Sequence, residues 1–145
     1  MNYKYYNILM AVFMIALQLI FNACNDDRLE LEKAIRYVNK QCPIKQQHWT
    51  IDSVKIGREG EIEYYCNSDD NAEYFLILKE KKDSIANSII DNINHSKTAD
   101  SQKLVRLCKK NNAPIIYKYH SNITTELCII KIPVEKLIVD PEKMD

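Results

Sequence analysis

Apolar positions recur at three- and four-residue intervals in three stretches of this chain and at two-residue intervals in four others. Asp27 to Gln41 places Leu31, Ile35 and Val38 on one helical face with Ala34 beside them. Asp27 and Glu30 start it in the manner of a capping box, and Pro43 disfavours helical geometry at Cys42 and so ends it. Trp49 to Ile56 and Glu61 to Asn67 are β-rich runs around Gly57-Arg58-Glu59-Gly60, which predicts a hairpin. In the second run Ile62, Tyr64 and Cys66 share a face and Glu61, Glu63 and Tyr65 the other. Ser68 to Asn71 reads as a turn. Glu73 to Asn94 is predicted as one long helix, with Leu78, Ile85, Ile89 and Ile93 in step and Lys82 completing the stripe by snorkelling, although Tyr74 to Leu78 has strand propensity. Ser96 to Asp100 breaks the pattern, and Ser101 to Asn111 is a further helix with Leu104, Leu107 and Cys108 inward. Pro114 to His120 and Thr125 to Ile132 form a second hairpin, and Pro133 opens a short closing helix containing Leu137 and Ile138.

The expected order is therefore α-β-β-α-α-β-β with a short C-terminal helix. Two hairpins suggest an α+β fold with one four-stranded antiparallel sheet and helices on one face. Each half follows one plan: a helix, a turn ending in proline (VNKQCP, KKNNAP) and a hairpin.

The chain has 145 residues and zero formal net charge, which suits one domain and gives no electrostatic footprint for nucleic acid. Only Gly57 and Gly60 are glycines, too few for a Walker or dinucleotide phosphate loop. No cofactor is called for.

The N-terminus changes the picture most. Lys4 precedes Ile8 to Phe21, an apolar stretch broken only by Gln18. As a helix it would rise about 21 Å, short of the ~30 Å hydrocarbon core. With the small Ala23 ahead of Cys24 it resembles a bacterial lipoprotein signal, and Asn25-Asp26-Asp27 resembles the acidic tether of Bacteroidota lipoproteins. Asn22 and Phe21 depart from the commoner residues at their positions. The resemblance implies a signal peptide over 1–23, a lipidated cysteine and tether over 24–27, a domain over 28–138 and a tail over 139–145. Cys24 would carry the fatty acyl chains, the membrane would be the partner through that lipid, and the outer membrane, surface-exposed, would be the location. A cleaved secretory signal and a retained anchor are the alternatives. Loss of residues 1–23 removes Lys4 and no acid, leaving 19 basic against 20 acidic residues.

The domain itself is similar to a group of small envelope proteins and lipoproteins. Asn39, Lys40 and Pro43 match an Asn-Lys-x-x-Pro turn before the first hairpin, and Ile115, Tyr117 and Tyr119 match a strand after the third helix. The resemblance brings no activity with it.

Cysteines 42, 66, 108 and 128 are spaced 24, 42 and 20 residues apart, with no CxxC and no close pairs of the zinc-ribbon kind. Outside the cytoplasm they could form disulfides. Cys42 and Cys108 both fall near helix ends and are the favoured pair; buried free thiols are the alternative. His48, His95 and His120 are scattered, so no metal site is expected. Asp69-Asp70 lies in a turn, where acids cap rather than catalyse. Tyr117 and Tyr119 share a strand face; pointing outward they would form a binding surface, pointing inward they fill the core. Asp52-Ser53-Val54 and Asp83-Ser84-Ile85 resemble O-glycosylation acceptors of Bacteroidota envelope proteins, and Asn94-His95-Ser96 and Asn122-Ile123-Thr124 fit the eukaryotic sequon. The resulting expectation is a lipid-anchored envelope protein with a non-catalytic binding or accessory role. An inhibitor or immunity protein against a toxin or hydrolase, and a thiol-dependent enzyme, are the other classes.

Overall fold

The computed structural model describes residues 27–45, 48–68 and 72–139. Helix α1 (Asp27–Lys40) buries Leu31, Ala34, Ile35 and Val38, the stripe read from the sequence. It leads through Cys42-Pro43 into a two-residue strand β1 (Ile44–Lys45), then β2 (Trp49–Ile56) and β3 (Ile62–Ser68). Helices α2 (Ala72–Glu80), α3 (Lys82–His95) and α4 (Ala99–Lys110) follow, then β4 (Ile115–Ser121), β5 (Leu127–Ile132) and a single 3-10 turn, Val134–Lys136.

The α+β class holds, but the sheet has five strands in the order β1-β2-β3-β4-β5 and is mixed rather than antiparallel. Both hairpins form as expected; β3 and β4, at the centre, run parallel from Ile62↔Ile115 to Ser68↔Ser121. The helical path explains the direction. Lys79 pairs with Glu126 in the β4–β5 turn, and Asn94 bonds the backbone of Lys136 and Ile138 beyond β5. The chain is thus carried along β5 back to the end where β3 began. There Lys110 reaches Asp27, and the Ile62 N–H donates to the Pro114 carbonyl at 2.8 Å. β4 starts where β3 started. A hairpin signal fixes direction only within its own pair, so the antiparallel expectation had no purchase on the central junction.

The long helix expected over Glu73–Asn94 is interrupted at Lys81, whose φ of −106° and ψ of 21° leave helical geometry. Between the buried Leu78 and Ile85 there is no apolar side chain to press that turn onto the sheet, and Lys82 is exposed rather than completing the stripe. The expected closing helix is likewise only the 3-10 turn; Leu137 just after it is buried and Ile138 is exposed. Helix α4 ends in a Schellman arrangement: Ala113 N–H bonds the Cys108 carbonyl, Asn112 N–H bonds Lys109, and Asn112 takes φ of 49°.

One sheet face, carrying Ile51, Val54, Ile62, Tyr64, Cys66, Ile115, Tyr117, Tyr119, Ile130 and Ile132, is buried beneath the helices. Each such aliphatic side chain contributes about 1.5–3 kcal/mol of burial. The first residue of the Asn-Lys-x-x-Pro turn has a structural task. β1 covers β2 only at Thr50 and Ile51, and past the bulge at Asp52 the Asn39 Oδ1 accepts the Val54 N–H at 3.0 Å. A backbone donor on the sheet margin is satisfied there without a further strand.

Candidate functional site

The sequence-derived site residues do not come together. Cys24 and Asp69-Asp70 lie outside the described residues. Tyr117 and Tyr119 are buried, at 3 % and 1 % exposure, which corrects the outward aromatic strip. They belong to an internal stack: Tyr64–Tyr117 at 5.0 Å, Tyr117–Tyr119 at 6.1 Å, and Trp49 edge-on to Tyr119 at 5.0 Å. Strand parity is the reason: Ile115, Tyr117 and Tyr119 share the helix-covered face, and the open face receives Ile116, Lys118 and His120.

Cys42, Cys66, Cys108 and Cys128 are all free thiols, so the Cys42–Cys108 pair is not bridged. Cys42, half-buried, donates to the Val38 carbonyl at 3.6 Å, and its electrostatic thiol neighbour is Cys66; burial alone pushes Cys108 up, to about 12. Burial likewise pushes up Cys42, Cys66 and Cys128. A nucleophilic cysteine needs the opposite shift. Among the described residues no cluster of three or more His, Cys, Asp or Glu could hold a metal ion, and no helix is long and apolar enough to cross a membrane. Of the glycosylation-like serines, Ser84 is exposed on α3 and Ser53 is half-buried in β2.

What the fold does assemble is the open sheet face. Register sets Lys118 beside Tyr65, and Glu63 beside Lys55 and Ile116. Lys118 Nζ donates to Glu63 Oε1 and, at 3.4 Å, to the Tyr65 hydroxyl; that hydroxyl donates to Glu63 Oε2 at 2.6 Å. Lys118 and Lys55 flank the Tyr65 ring at 5.1 and 5.2 Å from its centroid. Burial works to raise the Glu63 carboxyl, but the Lys118 and Tyr65 hydrogen bonds, with the charges of Lys118 and Lys55, hold it below its usual range. The bond to Glu63 raises Lys118 in turn. The pair is held ionised across the neutral range.

No protein-family profile matches the chain, and no curated protein sequence does. A crystal structure of a Pseudomonas aeruginosa protein assigned as secreted is similar in fold, with a TM-score of 0.55 and 12 % identity over 79 % of this chain and 98 % of that one. Identity this low speaks for the fold alone.

Beside the ionic cluster the sheet ends at β5. Ser121 and Glu126 open the β4–β5 pairing, with the Ser121 N–H donating to the Glu126 carbonyl at 3.0 Å. Bonded pairs then recur at Tyr119↔Cys128, Tyr117↔Ile130 and Ile115↔Ile132. The N–H and C=O groups of Leu127, Ile129 and Lys131 consequently point away from the sheet, and β5 is its last strand. Leu127 and Ile129 are 45 % and 40 % exposed, and β5 contains no proline. Proline within the strand, one common device for blunting an edge, is therefore missing here. Across the edge, the Lys79–Glu126 ion pair at 2.7 Å holds α2 against the turn, and Leu76, one helical step from Lys79, is 52 % exposed. Sequence reading missed Glu63, Lys118 and the edge. Alternation could have placed each on the outer face, but not beside the others.

Proposed function

We propose that this is a lipid-anchored cell-envelope protein whose domain binds a partner protein by strand addition along β5, without catalysis of its own. The carrying observation is the β5 edge, with three outward backbone units between the exposed Leu127 and Lys131 and apolar side chains beside it. A partner strand would pair with that backbone and set alternate side chains on Leu127 and Ile129. The anchor rests on the sequence around Cys24, and a fold similar to that of a protein assigned as secreted agrees with a place outside the cytoplasm.

Ile129→Pro tests the binding mode. The Ile129 N–H faces outward, so proline there removes no bond to β4, and edge strands accept it. A photo-crosslinking residue at Lys131, in the native envelope, should capture a discrete partner whose mass also reveals a second copy of this chain. The proline variant should fold with a near-normal urea midpoint and lose the adduct. Retention of the same adduct at the same yield would refute strand addition.

A further inference from the structure

The strands run between two ends of the domain, and the polypeptide ahead of Asp27 leaves from one of them. At that end the Lys110 Nζ lies 3.1 Å from Asp27, and the Asn111 side chain donates to the Asp27 carbonyl at 3.1 Å. Arg28 lies against Gly60 of the β2–β3 loop, where a Cβ would stand 3.2 Å from its guanidinium. The Pro114 carbonyl bonds Ile62, and the Val134–Lys136 turn follows the end of β5. Arg58, Lys109, Lys110 and Lys136 are exposed there. The acids are fewer or engaged: Asp27 holds Lys110, Glu61 accepts the Glu59 N–H at 2.9 Å, and Glu59 and Glu135 are exposed. The opposite end carries the Ser121–Thr125 turn with Ile123 at 60 % exposure, and also Trp49. β4 alone, seven residues long, separates the two by about 20 Å.

From this placement we infer that the Asp27 end is a membrane-facing surface, with Arg58, Lys109, Lys110 and Lys136 resting on anionic lipid headgroups. The inference rests on the reading of Cys24 as the lipidated residue. Three residue steps separate Cys24 from Asp27, and at full extension they span only about 10 Å. Whatever conformation Asn25 and Asp26 take, α1 starts about one Debye length from the headgroups. At that distance exposed cations feel the negative surface potential, and cations at the far end do not. The strands then stand away from the bilayer, and the β5 edge presents its length to the aqueous space.

The protein's single tryptophan provides the test. The acylated full chain is reconstituted in vesicles of phosphatidylethanolamine and phosphatidylglycerol containing a headgroup spin-labelled lipid. Trp49, at the far end, should be quenched weakly. A Trp49→Phe, Glu59→Trp protein should be quenched several-fold more. Equal quenching, or stronger quenching of Trp49, overturns the orientation. Arg58→Glu with Lys109→Glu and Lys136→Glu should cut quenching of the residue-59 tryptophan at least twofold in these vesicles and leave it unchanged in phosphatidylcholine. No effect in either overturns the headgroup contact, and the single Arg58→Glu variant repeats the test should the triple variant fail to fold. Fatty-acid labelling of wild type, lost in Cys24→Ala, is measured in parallel. Absence of that label removes the anchor itself, a failure distinct from a labelled protein with the wrong end toward the lipid.

Discussion

Glu63→Gln isolates the one charge on which the open sheet face depends. Glutamine keeps the shape and can still accept from the Tyr65 hydroxyl, which lies 2.6 Å from the carboxylate, but it removes the charge that holds Lys118. The pair is neither fully exposed nor deeply buried, at 12 % and 23 % side-chain exposure. Exposed ion pairs contribute about 0.2–1 kcal/mol and hydrogen bonds to charged groups about 1.5–3, so a loss of roughly 1–2 kcal/mol is expected near neutrality. With a urea slope of about 1–3 kcal/mol/M, the unfolding midpoint should fall by roughly 0.5–1 M. The pH dependence carries the sharper sign. Glu63 is lowered in the folded state, so its stabilisation is present above the unfolded value of about 4.3 and is lost as pH falls through the folded value. Lys118 is raised, so its share is present below about 10.4 and is lost as pH rises through its folded value. Urea unfolding of wild type, Glu63→Gln, Lys118→Met and the double variant, between pH 3 and 8, gives the coupling energy directly. It should be largest near neutrality and vanish in acid. A coupling below about 0.3 kcal/mol at pH 7, or an acid-side slope identical in wild type and Glu63→Gln, would refute the reasoning.

Asn112 adopts φ of 49° in the Schellman turn, so Asn112→Gly should be near neutral while Asn112→Val costs more than about 1 kcal/mol in thermal or urea unfolding. Equal effects would show that the turn does not need the left-handed conformation. In Cys24→Ala protein at pH 8, Cys42 should react first with a thiol reagent, because Cys66 and Cys108 are buried at 2 % and 0 % exposure. All four thiols should react after unreduced unfolding; a count of two would establish a disulfide that the folded structure does not contain.

Much of the candidate surface was invisible along the chain for a definite reason. Glu63 and Lys118 are 55 positions apart, and only the parallel registration of β3 with β4 sets Lys118 beside Tyr65 and within reach of Glu63. Leu127 and Ile129 look like ordinary members of an alternating strand; their exposure follows from β5 being last in the sheet. Tyr117 and Tyr119 were correctly assigned to one face, yet alternation does not say which face the helices cover.

Sequence by itself determined what depends on neighbours within a few residues. The α1 stripe of Leu31, Ile35 and Val38, the span of β2, both hairpins and the stop at Asn112 all follow from local periodicity and turn chemistry. Tertiary structure alone decided the β1 strand, the parallel junction, the break at Lys81 and the burial of the tyrosine stack. Each turns on where distant segments meet. Strand direction across a long crossover depends on the end to which the helices return the chain, and a helix persists through Lys81 only if something apolar holds that turn down. Those contacts lie dozens of residues away, beyond the reach of any local pattern.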